Sequence, residues 1–167
     1  MSAIHSTSTK PELRVRLALW RKGLRYRLND KRLPGKPDIV LPSYRTAVFV
    51  HGCFWHGHEG CSKYTIPKTN TEFWTAKVAR NKERDQEVWR KLEADGWYVI
   101  IVWECELTKA RLQDTVNRVE AEIHHNGELL QAVRDERRKA REAYLKEQRE
   151  RKEREAFYKA SLHIHQS

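Results

Sequence analysis

Residues 51–61, read HGCFWHGHEGC, hold three histidines, two cysteines and the adjacent Phe54 and Trp55 within eleven positions. Thiolates and neutral imidazoles are the groups zinc takes in a tetrahedral site, so Cys53, His58 and Cys61 read as three ligands offered by one loop. Only one other cysteine exists, Cys105, and a Cys3His site would use every cysteine in the chain. The competing reading makes these thiols small buried hydrophobes. Crowding of His58 and two cysteines in one glycine-interrupted loop favours the metal, although the spacing is not that of a standard finger. Such a site is structural: it fastens the loop to the end of a second strand and leaves His51 and His56 for other work.

Two apolar runs must carry these ligands. TAVFV (46–50) leads straight into the loop, and YVIIVW (98–103) leads to Cys105. The second run is nearly continuous and rich in β-branched residues, which predicts a strand buried on both faces. Ahead of both, Asp38 follows a Gly-Lys-Pro turn and opens the apolar pair Ile39 and Val40, with Pro42 and Ser43 as the next turn. An aspartate at a loop edge often forms only an Asx-turn. Two antiparallel strands joined by a tight turn would instead bring Asp38 beside Val50 and His51. A carboxylate held there must be hydrogen-bonded or bound to a cation, which makes the place a candidate active site.

The flanking segments read as helices. Thr9-Lys10-Pro11-Glu12 has the capping-box pattern, with Glu12 as the reaching residue. Leu13, Leu17, Trp20 and Leu24 then recur at helical spacing as the core face, and residues 25–28 form a short strand. A second helix starts at Asn70 or Thr71 and runs to about Asp95, with the stripe Trp74, Val78, Asn81, Asp85, Val88, Leu92 facing inward. Asn81 and Asp85 interrupt that stripe, and either pair internally or meet a ligand. Lys77 and Asn81 share one face, a combination suited to phosphates and base edges. Leu112, Val116, Val119 and Ile123 mark a third helix over 108–125. From residue 128 acid-then-base pairs four apart, such as Glu142 with Lys146, predict a solvated helix, and His163 and His165 do not stand out as ligands. The chain thus divides into a domain over 1–127, an α/β sandwich, and a charged helical tail over 128–167.

At 167 residues there is room for one sizeable core. The net charge is +10, and residues 10–36 alone hold ten Lys/Arg against Glu12 and Asp30. So lopsided a run beside a ligand-rich loop favours a polyphosphate partner, nucleic acid ahead of membrane. No apolar run spans a bilayer and no secretory signal is read at the N-terminus, so a cytoplasmic protein with reduced thiols is expected.

The loop HGCFWHGHEGC, the preceding LPGKPD (33–38), TEFWTAKVARNKERD (71–85) and GWYVIIVWECE (96–106) together resemble the very-short-patch repair (Vsr) DNA mismatch endonucleases, in one consistent order over residues 1–107. The resemblance implies a restriction-endonuclease-like central mixed sheet flanked by helices, with a structural zinc and, here, a charged helical extension. It implies an enzyme that nicks duplex DNA 5′ of the thymine in a thymine-guanine mismatch, using magnesium; a monomer is expected, and whether repair proteins join it is left open by the sequence. Carried over by residue, Asp38 binds magnesium, His56 is the catalytic histidine, and the Val50 backbone carbonyl is a further magnesium ligand. His51 and Glu12 hold hydrated metal in an outer shell. Cys53, His58, Cys61 and Cys105 match the zinc ligands, Phe54 and Trp55 match aromatics wedged into the base stack, and Lys77 with Asn81 match residues that recognise bases. Relatives carry a further basic arm ahead of the position of Met1. Weaker binding, or substitution by the tail, is the expectation here.

Overall fold

The computed structural model describes residues 9–164, with side chains through Tyr158. Residues 1–8, from which the absence of a signal was inferred, and His165 lie outside the described residues. In chain order the elements are α1 (Lys10–Arg21), β1 (Arg27–Leu28), β2 (Ile39–Leu41), a 3-10 turn (Pro42–Tyr44) and β3 (Thr46–His51). They continue with α2 (Thr71–Ala94), β4 (Tyr98–Trp103), a second 3-10 turn (Glu104–Leu107) and α3 (Leu112–Ile164). Packing divides the chain into Met1–Gly127 and Glu128–Ser167.

In the first unit the strands form one mixed sheet in the order β1-β2-β3-β4. β1, β2 and β3 are antiparallel neighbours, whereas β3 and β4 run parallel, with Thr46 opposite Tyr98 and His51 opposite Trp103. A parallel pair needs a long crossover, and α2 supplies it. Period-2 alternation then sorts the side chains. Val48, Ile100 and Val102 join Val15, Leu19, Val119 and Ile123 on one face, while Ala47, Phe49, Val99 and Ile101 join Val88, Trp89 and Leu92 on the other. His51 shares the second face with Ala47 and Phe49, which turns its ring toward α2.

Two expectations need correction. β4 lies at an edge of the described sheet and β3 is internal, so Ile100 and Val102 are buried while the other four β4 residues are only partly covered. On α1 the inward face is Glu12, Val15, Arg16 and Leu19, whereas Leu13, Leu17 and Trp20 are exposed. The helix carries two apolar stripes, and the one selected brings a buried ion pair with it, Arg16 Nη2 to Glu12 Oε2 at 2.9 Å. Thr9 caps α1 as expected, and its hydroxyl also donates to Glu12 Oε1 at 2.8 Å. On α2 the predicted stripe holds, with Val78, Asp85 and Leu92 buried.

The second unit consists of the far part of α3. Tyr144, Leu145 and Phe157 are exposed there, and its ion pairs include one in acid-then-base order, Asp135 with Arg138, and two in base-then-acid order, Lys146 with Glu150 and Arg151 with Glu155, none of them at the expected pairings. Among the described residues no helix is long and apolar enough to cross a membrane.

Candidate functional site

The ends of β3 and β4, being parallel neighbours, deliver their following segments to the same edge of the sheet, and β2 begins there because it is antiparallel to β3. Three segments separated in sequence therefore meet. Strand carboxyl ends are where open α/β sheets bind ligands.

One cluster joins the loop after β3 to the turn after β4. The donor atoms of Cys53, His58, Cys61 and Cys105 all lie within 4.8 Å of one another, and this set could hold a metal ion. Cys105 Sγ stands 3.4 Å from His58 Nδ1. Sulfurs 2.3 Å from a tetrahedral ion are about 3.8 Å apart, so the cluster has the right size. The loop builds the set by local backbone bonds, the His58 N–H donating to the Cys53 carbonyl at 2.9 Å and the Cys61 N–H to the His58 carbonyl at 3.3 Å. The His58 ring is fixed from the other side by Trp103, stacked at 4.1 Å and 5°. Burial pushes the Cys53 thiol up to about 12, while a bond from the Lys63 backbone draws Cys61 down. Gly57 takes a φ of +62°, and a Cβ there would stand 2.8 Å from Val78 Cγ1. Only glycine lets the loop turn so close to α2.

The second cluster is His51, His56 and Asp85. His56 Nδ1 lies 2.5 Å from Asp85 Oδ2, and the His51 ring stacks on His56 at 3.6 Å and 14°. Phe49, Trp89 and Trp103 surround the remaining sides of His51 at 5.5–5.9 Å. Burial, then the charge of His56, hold the His51 imidazole down at about 3, so it is neutral near pH 7. Its Nδ1 is buried without a hydrogen-bond partner among the described residues. Although these three side chains converge, stacked rings are a poor chelate. An ion between them would lie far out of both ring planes, where the nitrogen lone pairs do not reach. The arrangement is instead that of an imidazole oriented by a carboxylate.

Asp38 completes this centre. Its Oδ2 accepts the Val50 N–H at 2.7 Å, across the antiparallel pair as the sequence predicts. Burial raises the Asp38 carboxyl to about 6 despite that bond. The neighbouring Glu12 raises it further, while Arg16 and His56 pull it down. Asp38, Glu12, His51 and His56 thus share one electrostatic neighbourhood, with the Val50 backbone in it. The buried Glu12 and half-buried Asp38 carboxylates, beside a neutral imidazole, carry charge that hydrogen bonds or a cation must offset.

Beside it lies an aromatic surface. Phe54 meets Trp55 at 5.3 Å and Trp74 at 5.4 Å, and Phe73 meets Trp74 at 5.2 Å. Phe73 and Trp55 are 53% and 40% exposed, so these rings are not a sealed core. Lys77 Nζ lies 5.5–5.6 Å from the rings of Trp55, Phe73 and Trp74, and Asn81 Nδ2 donates to the Trp55 carbonyl at 2.9 Å. Residues missed by the sequence reading are Asp85, seen only as a break in an apolar stripe, and Trp74, assigned to that stripe, with Phe73 next to it. Helical spacing is the signal they offered: Trp74, Asn81 and Asp85 fall on the α2 face that carries Val78.

A family profile described as DNA mismatch endonuclease Vsr matches residues 1–63. The chain is 55% identical over 124 residues to the type II nicking enzyme V.NmeAIP of Neisseria meningitidis serogroup A / serotype 4A, covering 74% of this chain and 88% of that one. It is 46% identical over 122 residues to the type II nicking enzyme V.XorIIP of Xanthomonas oryzae pv. oryzae, covering 70% and 89%. It is also 46% identical over 107 residues to the DNA mismatch endonuclease Vsr of Escherichia coli K12, covering 64% and 68%.

Proposed function

The chain belongs to the Vsr family of DNA mismatch endonucleases, and from that premise we propose a magnesium-dependent enzyme that nicks duplex DNA 5′ of the thymine in a thymine-guanine mismatch. The observation that carries the reading is the convergence of Asp38, Val50, His51, His56 and Asp85 beside an open aromatic surface. On this reading residues 1–127 form a restriction-endonuclease-like catalytic domain, and 128–167 are a charged extension without a part in the chemistry.

Asp38 and the Val50 carbonyl would hold magnesium, with Glu12 and His51 contacting its water shell. Bound there, magnesium supplies charge neutralisation at the scissile phosphate and eases departure of the 3′ oxygen. The protein's own work is proton handling and positioning. Because His56 Nδ1 faces the Asp85 carboxylate, its proton belongs on that nitrogen. Nε2 is left as the base that takes a proton from the attacking water. Asp85 then stabilises the resulting imidazolium. The stacked His51 ring, neutral itself, adds no charge that would oppose it.

Phe54, Trp55 and Trp74 would enter the base stack at the mismatch, where unstacking costs less than in paired DNA. Lys77 and Asn81 flank those rings and suit base edges and phosphates. The Cys53, His58, Cys61 and Cys105 set would hold zinc as a brace for the loop that bears His56.

Duplexes differing at one base pair, incubated with and without magnesium, test the reading. Nicking confined to the thymine-guanine duplex with magnesium is expected. Cutting of the paired control as well would make this a restriction-type nuclease, and salt-sensitive binding without cleavage would make it a DNA-binding module.

Asp85→Asn tests the oriented imidazole. The amide leaves the shape intact while removing the charge and making the tautomer ambiguous, so a loss of about 100-fold in single-turnover nicking is expected, with duplex affinity unchanged. Full activity in this variant would dismiss the His56 and Asp85 pair as a catalytic unit.

A further inference from the structure

We propose that Arg16 is an internal counter-cation of the magnesium site, neutralising Glu12 when no divalent ion is present and competing with that ion for the Glu12 and Asp38 acid pair. The inference rests on the reading of Asp38 and Glu12 as that site. Glu12 and Arg16 stand one helical turn apart on α1, each 5% exposed, with Nη2 and Oε2 2.9 Å apart. Removing such a pair from water is costly, and similarly sized apolar residues usually serve a core as well or better. Val15 and Leu19 already give α1 its fully buried anchors, so the fold does not need this ion pair to seat the helix.

Its surroundings give it another purpose. The Thr9 hydroxyl occupies Glu12 Oε1 and the guanidinium occupies Oε2, so both carboxylate oxygens are already engaged. Val15 and Ile39, the chain neighbours of Arg16 and Asp38, pack in one core cluster, which brings the guanidinium end of α1 to the start of β2 and so to both acids. One residue past the Val50 N–H that donates to Asp38, the 4% exposed His51 keeps Nδ1 without a partner among the described residues, an acceptor available to a hydrated ion. A divalent cation entering here meets an acid pair whose charge Arg16 has already offset in part. Arg16 therefore weakens the ion's hold and, in its absence, keeps the buried Glu12 and half-buried Asp38 carboxylates from repelling each other.

The test is Mn2+ binding to the zinc-loaded full chain, followed by calorimetry and by the electron-spin signal of free Mn2+, for wild type, Arg16→Met, Arg16→Lys and Asp38→Asn. Arg16→Met should bind Mn2+ about tenfold more tightly, or about 1.4 kcal/mol. Without added divalent ion it should unfold at a lower temperature than wild type, and Mn2+ should recover more of the loss. Arg16→Lys keeps the charge and should bind as wild type does. The same Met variant should reach half-maximal nicking at a lower magnesium concentration without a higher maximal rate. If Arg16→Met fails to fold, Arg16→Gln, which retains a hydrogen-bond donor toward Glu12 but no charge, carries the same expectation. Unchanged or weaker Mn2+ binding on loss of the charge would overturn the proposal. Asp38→Asn separates the two levels. Its loss of Mn2+ binding beside an unaltered Arg16→Met refutes only the role of Arg16, whereas retained binding in Asp38→Asn refutes the site itself.

Discussion

Asp38→Asn should lower magnesium-dependent nicking by about 10³-fold or more, because on the proposed reading several kcal/mol of charge stabilisation at the phosphate depend on an ion this carboxylate would hold. The same substitution should make the protein more stable at pH 7 when no divalent ion is added to the zinc-loaded chain. Burial holds the Asp38 carboxyl at about 6, above its ordinary 3.8, so the folded chain binds this proton more tightly than the unfolded one. Stability from this group is therefore present at low pH and is lost as pH rises from about 4 through about 6. At pH 7 the ionised carboxylate costs the fold on the order of 1–3 kcal/mol, the lower part of that span once partial solvent screening is allowed for. Asparagine keeps an acceptor for the Val50 N–H and removes the charge. Thermal unfolding of the zinc-loaded chain without added divalent ion, beside a single-turnover assay, reads both effects. A residue serving only the structure would lose stability and activity together. The linkage also implies that divalent-ion affinity falls about tenfold per pH unit below about 6, where the ion must displace a proton.

Cys105→Ala should release zinc, from about one per chain to nearly none, and remove about 4 kcal/mol or more of stability, a fall of roughly 8–16 °C in Tm. This cysteine is the only donor of its set that lies outside the loop after β3, so its loss unties that loop from β4. Nicking should fall with it, since His56 sits between Cys53 and His58 on the tethered segment. Metal analysis of the purified variant and its melting curve decide the matter. If the thiols were merely small buried hydrophobes, zinc would be absent from the wild type too, and alanine would cost little at the half-exposed Cys105.

Much of this centre could be read from the chain because its chemistry uses residue types with few other reasons to gather. Two cysteines and a histidine at loop spacing, with the one other cysteine after the next apolar run, define one cluster, and an aspartate at the mouth of an apolar pair predicts its approach to Val50, as the strand register bears out. What could not be read depended on choices between near-equal patterns or on distant pairing. Along α1, Leu13, Leu17 and Trp20 make as good a stripe as Val15 and Leu19. Charged Glu12 and Arg16 go inward as a bonded pair, with the Thr9 hydroxyl on the other Glu12 oxygen. Along YVIIVW, uniform apolarity predicts two covered faces, yet β4 is an edge strand whose coverage is completed by only part of α2 and α3. Asp85 lies 29 positions from His56, and no local pattern announces a partner at that distance. Trp74 and Phe73 fit the helical period as core residues, but the first turns of α2 leave their rings beside Phe54 and Trp55, partly open to solvent.

The parallel pairing of β3 with β4 also bears on when this nuclease comes into being during synthesis. Thr46 must wait for Tyr98, about fifty residues later, and closing so long a loop is entropically slow compared with zipping the β2 and β3 hairpin. As the chain leaves the ribosome, Asp38, His51 and His56 are exposed early, but without the register of β4 neither Asp85 nor Cys105 can reach them. A stalled or truncated translation product ending before residue 98 would carry the reactive side chains without the cutting centre. The cell's chromosome would meet the enzyme only after the step that completes it.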